Sequence, residues 1–154
     1  MKNPLLMLNV LLALHLLGAV LWVGGMAFAI TVLRPSLAAL EPAQRLALHV
    51  QVFRRFFRTV WHVMPIVLLT GYAMVFGLLG GFRGVGVAVH VMHGLGLMMA
   101  VVFLAVYFGP WRTLRGAMVA GEIAVAAAAV NRIRWLIVAN LVLGLVTVGV
   151  AAFS

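Results

Sequence analysis

The sequence predicts an all-α integral membrane protein, an antiparallel bundle of four transmembrane helices forming one domain over residues 1–154. Three observations predict it. The chain is 66% hydrophobic and 8% charged, with a mean hydropathy of +1.23, more apolar surface than a soluble domain of this length can bury. The apolar residues gather into four stretches, each long enough for the roughly 20 helical residues that cross a bilayer. The basic residues are confined almost entirely to two of the connections between those stretches.

The first span is read at 5–33, Leu5 to Leu33. It follows Met1-Lys2, yet it is too long for the apolar region of a cleaved signal peptide, which runs to roughly 7–15 residues. The next connection carries Arg34, Arg45, Arg54, Arg55 and Arg58 against Glu41. Within it, Glu41-Pro42 reads as a helix start, and Leu46, His49, Val50, Phe53, Phe57 and Val60 recur at helical spacing. That pattern fits a cytoplasmic amphipathic helix lying at the interface, and equally a cytoplasmic extension of the second span.

The second span is 61–79, Trp61 to Leu79, and a short turn, Gly80-Gly81-Phe82-Arg83-Gly84, leads to the third at 85–108. Arg112, Arg115, Arg132 and Arg134 then stand against Glu122, with an alanine-rich helical stretch over 117–130, before the fourth span at 135–153. Nine basic residues thus fall on one side of the membrane, and Lys2 and Arg83 on the other. The positive-inside bias places both termini outside and both long loops in the cytoplasm, in a bacterial inner membrane. The same bias accounts for the net charge of +9 without any nucleic acid partner. The chain has no cysteine, which excludes disulfides, thiolate metal sites and iron–sulfur clusters. Both acidic residues lie in loops and no Ser/His/Asp constellation or phosphate loop occurs, which argues against a hydrolase.

Histidine carries the chemistry. His15, His62, His90 and His93 fall in or at the ends of the spans, where an ionisable group is costly and marks a functional candidate. At 1.5 Å per residue, His15 lies ~15 Å, His93 ~10 Å and His90 ~6 Å from the outer face. His49 and His62 lie at the cytoplasmic end. The outer three are close enough in depth to serve one metal or haem site, with His62 as a further candidate ligand. His15, Gly18, Trp22, Gly25 and Ala29 share a stripe of the first helix, and His93, Gly96, Ala100, Leu104 and Tyr107 one of the third. The small residues allow close helix packing or leave room for a flat macrocycle. Met92, Met98 and Met99 surround His93; with imidazole they suit copper(I), and they also serve as flexible packing. Arg34, Arg54, Arg55 and Arg58 anchor topology, and also suit haem propionates, anionic lipid or a quinone headgroup.

The run His15-Leu16-Leu17-Gly18-Ala19-Val20-Leu21-Trp22-Val23-Gly24-Gly25 is similar to the opening helix of the copper resistance protein D (CopD) superfamily, a histidine followed by Trp-x-Gly-Gly. Arg55-Phe56-Phe57-Arg58 leading to Thr70-Gly71 resembles that superfamily's next landmark. The superfamily includes the HemJ-type protoporphyrinogen oxidases, small four-helix membrane proteins that bind haem b, and the resemblance implies that His15 is a haem ligand. Those oxidases carry a lysine in the third helix; here that span has His90 and His93 instead, which implies bis-histidine ligation.

Three functions follow as expectations. The first is a haem b redox protein, with His15 and His93 as axial ligands, His90 as substitute, and a quinone, a porphyrinogen or an electron-transfer protein as partner. If it is an enzyme, it is an oxidoreductase. The second is a copper-handling membrane protein that uses His15, His90, His93 and nearby methionines. The third is a non-catalytic assembly subunit whose histidines bond between helices.

Overall fold

The computed structural model describes residues 3–153. The Lys2 charge that enters the orientation argument lies outside these residues. Six α-helices follow one another: α1 (Pro4–Phe28), α2 (Arg34–Ser36), α3 (Pro42–Gly77), α4 (Val87–Phe108), α5 (Pro110–Ala120) and α6 (Ile123–Ala152). Four helical segments are long and apolar enough to span a membrane, and no strand occurs among the described residues. The protein is an all-α integral membrane bundle.

Local chemistry sets the helix ends. Asn3 caps α1 by accepting the Leu5 amide at 3.1 Å, and Pro4 fills the first turn, where its missing N–H costs nothing. Past Phe28 the helix widens into a π-turn at Ala29–Leu33. Pro35 follows directly; its ring would clash with the carbonyl four residues back in a regular helix, and a π-turn just upstream relieves that crowding. Residues 42–60, with the first cytoplasmic-loop pattern, are the first half of α3, one unbroken 36-residue helix. The extension reading is therefore the one realised, and no separate interfacial helix forms there. At 1.5 Å per residue α3 is ~54 Å long, well beyond a ~30 Å hydrocarbon core. Its arginine-bearing end stands clear of that core.

The alanine-rich stretch also differs from a single helix. Gly109-Pro110 ends α4 and starts α5. Gly121 then takes φ +72°, a left-handed conformation that glycine adopts without penalty, and reverses the chain into α6. Gly80 and Gly81, at φ +74° and +87°, make the turn at the other end. The two ends are called here the arginine end and the glycine-loop end.

Packing is ordered by two pairs of antiparallel helices, α1 on α3 and α4 on α6. Against α3, α1 is close: a methyl group on Gly18 would lie 2.6 Å from Val67 Cγ2, and one on Gly25 2.6 Å from Phe56 Cε2. Along α6, Ala126, Ala129, Ile133, Ile137, Leu141 and Gly144 form a buried stripe at helical spacing. Gly144 marks a triple crossing, since a Cβ there would meet Val23 of α1 at 2.8 Å and Met99 of α4 at 3.2 Å. Towards the arginine end, Phe57 is 2% exposed and meets Phe103, Tyr107 and Trp111 edge-on at centroid distances of 6.0, 6.3 and 5.3 Å. Edge-to-face geometry at such distances is the favoured aromatic arrangement. It ties α3, α4 and α5 together. The outward faces of α1 and α6 expose Leu5, Leu6, Leu17, Val20, Leu145 and Val148, as lipid-facing helices do.

Candidate functional site

His15 bonds across helices through its Nδ1. That nitrogen lies 2.9 Å from the Val67 carbonyl oxygen and 3.1 Å from Thr70 Oγ1, both on α3. A carbonyl oxygen only accepts, so Nδ1 carries the proton. The Thr70 hydroxyl donates in turn to the Ile66 carbonyl at 2.6 Å, which turns its lone pairs towards the imidazole. Thr70 is buried, and Gly71 beside it leaves the room the ring needs, for a Cβ there would stand 3.3 Å from His15 Cε1. The outcome is a fixed tautomer: Nδ1–H is held, and Nε2 keeps its lone pair.

His93 is also held by α3, through a 3.1 Å hydrogen bond between its Nε2 and the Tyr72 hydroxyl. Tyr72 and Thr70 are two residues apart, so the two histidines meet α3 at levels differing by about 3 Å. In depth they match. Around the α3 axis they do not, because each residue turns a helix by about 100°. His15 rests over the Val67–Gly71 face, and Tyr72 leaves from the next face round. His15 and His93 therefore bond to different residues of α3, Val67 and Thr70 for the one and Tyr72 for the other.

His93 and His90 are brought together instead. One helical turn apart on α4, both rings pack on Phe82 of the glycine loop, at centroid distances of 4.9 and 5.5 Å. Tyr72 lies edge-on to His93 at 4.8 Å and stacks on Phe76, and Phe76 touches Phe82. His90 Nδ1 donates to the Gly86 carbonyl at 3.1 Å, which leaves its Nε2 free; His90 is exposed and His93 half-buried. Among the described residues no three His, Cys, Asp or Glu side chains converge on a metal-sized site.

Trp22 is 3% exposed and packs edge-on to Phe103, a core position. Gly18 and Gly25 face Val67 and Phe56, so α1 packs closely on α3 there. His62 is exposed at the arginine end, with Nδ1 donating to the Arg58 carbonyl four residues back at 2.7 Å; His49 does the same to Arg45 at 2.8 Å. Met99 is buried in the core, while Met98 is exposed.

Three contributors were not apparent as such in the sequence: Thr70 as partner of His15, and Tyr72 and Phe82 as partners of His93. The available signal was a hydroxyl and an aromatic flanking Gly71 at the depth of the histidines, with a second aromatic in the only short turn.

The family model for copper resistance protein D matches residues 50–154, more than half of the chain. The match starts inside α3, so it takes in Thr70, Tyr72, His90 and His93, while α1 and His15 precede it. No curated protein and no solved structure matches the chain. With the match running through α3, α4, α5 and α6, the chain belongs to the copper resistance protein D family.

Proposed function

We propose that this membrane protein handles copper ions as cargo, and that His90 and His93 take the ion at the glycine-loop end. The observation that carries the reading is the pairing of two imidazoles one turn apart against Phe82, at an accessible end of the bundle. Imidazole is a copper ligand. His90 offers Nε2, and His93, whose Nε2 faces Tyr72, offers Nδ1. The donor set fits a copper ion held by two nitrogens. A site of two ligands also releases its ion readily, as transfer requires. Family membership points to the same metal. A copper(I) titration of the purified protein against a chromophoric chelator tests it. His90→Ala and His93→Ala are each expected to weaken binding at least tenfold, and unchanged affinity in the double variant overturns the reading.

One observation favours a second reading, a haem b redox protein with a quinone or electron-transfer partner. It is the tautomer of His15. A ligating histidine usually donates its other N–H to a carbonyl or carboxylate, as His15 does to Val67. His15 fits as an axial ligand, with His93, bonded to Tyr72 two residues along α3 from Thr70, as the second candidate. Absorption spectra of the oxidised and reduced protein decide the matter. A Soret band lost in His15→Ala moves the function to this reading.

A further inference from the structure

The arginine end holds a cavity of about 390 Å³ that neither reading above uses. It opens between the π-turn, α2, the start of α3 and α6, and Arg34, Arg45, His49 and Arg134 supply its polar wall. Neither Glu41 nor Glu122 lines it. Ile30, Leu33, Phe53, Val130 and Ile137 add apolar lining. Three arginines line it with no carboxylate among the lining residues, and the Arg134 guanidinium also lies over the exposed Trp135 ring at 4.6 Å; like charges this close favour an anion between them.

Arg45 is anchored beside the cavity. Its Nη2 donates to the Ala38 and Leu40 carbonyls, at 3.1 and 2.9 Å, which fixes the guanidinium at the cavity wall. Its Nε–H is buried with no partner. His49 is held beside it by its bond to the Arg45 carbonyl. The π-turn at Ala29–Leu33 widens the end of the first span where the cavity opens, and π-turns recur at functional positions.

We propose that this cavity binds the phosphate of an anionic phospholipid, with the guanidinium groups of Arg34, Arg45 and Arg134 around the headgroup and an acyl chain along the Ile30, Leu33 and Ile137 wall. Phosphate is the group that arginine forks recognise best. The apolar wall, continuous with helices that cross the membrane, selects a phosphate carried on a chain over a free one.

Binding of dioctanoyl phosphatidylglycerol to the delipidated full-length protein in neutral detergent, followed by native mass spectrometry, tests this. Dioctanoyl phosphatidylcholine and inorganic phosphate serve as comparison ligands. Saturable retention of the phosphatidylglycerol, reduced about tenfold in Arg34→Gln/Arg134→Gln, is the expected result. Arg45→Gln removes two structural bonds as well, so the exposed Arg34 and the half-buried Arg134 give the cleaner variant. Arg58→Gln, in a separate cavity with Arg54 and Arg115, is expected to leave retention unchanged. Equal retention of phosphatidylcholine overturns the proposal, and so does an equal loss in Arg58→Gln, which would mean general surface charge. Inorganic phosphate binding as tightly as the lipid overturns the acyl-chain assignment. Copper affinity and the haem spectrum are separate readouts, so failure here leaves the histidine readings standing.

Discussion

Replacing Gly18 by alanine tests the close approach of α1 to α3 and its hold on His15. The added methyl would stand 2.6 Å from Val67 Cγ2, where carbon atoms rest at about 3.5–4.0 Å. The shortfall is about 1 Å. Valine in a helix has one strongly preferred rotamer, so Val67 does not swing aside cheaply. Relief comes from α1 backing away, and His15, one turn along, moves with it. Its bond to Val67 is 2.9 Å long, and a further ~1 Å takes it outside hydrogen-bonding range. Overpacking of this kind costs about 1–3 kcal/mol, a change of roughly five- to 150-fold in the folding equilibrium. Equilibrium unfolding in mixed micelles measures it, with Gly24→Ala as control, since a methyl there meets nothing within 4 Å. Nitrogen-15 shifts of His15 report whether Nδ1 keeps its bond. If Gly18→Ala proves as stable as Gly24→Ala with an unchanged His15 spectrum, the close-contact argument fails.

Other substitutions probe separate parts of the fold. Thr70→Val removes the hydroxyl facing His15 and is expected to cost about 0.6 kcal/mol, with ~1.7 as a ceiling for such bonds; the same unfolding titration, run as a double-mutant cycle with His15→Ala, should show non-additivity. Phe57→Ala empties the centre of the aromatic cluster and should cost about 3–5 kcal/mol, seen as a large fall in unfolding midpoint. Gly121→Ala forces a side chain into a left-handed conformation at φ +72°, with an expected cost of about 1–2 kcal/mol and faster amide exchange in α5.

The four long apolar helices were legible because each is a property of one segment. Composition gives the span, and 1.5 Å per residue gives the level. What a span faces is a property of pairs. Both α1 and α4 are apolar all round, so their patterns do not say which side turns inward. That is why His15 and His93, matched in depth, read as partners, and why the structure gives His15 to Thr70 and His93 to Tyr72. The Gly18 and Gly25 stripe admitted both packing and a macrocycle; the positions of Val67 and Phe56 show the packing. The break at Gly109-Pro110 was written in the sequence, as a glycine followed by a proline suited to a first helical turn.

The bond from His15 to the Val67 carbonyl also orders events during synthesis. Residue 15 enters the bilayer with the first helix, and its partners lie 52 and 55 residues further along the chain. Until α3 has been made and inserted, the first helix holds an imidazole in hydrocarbon with no protein group on α3 to meet it. The first helix is thus left as a lone tenant of the membrane, free to be captured by other inserted helices, and the growing chain closes that interval by delivering Thr70.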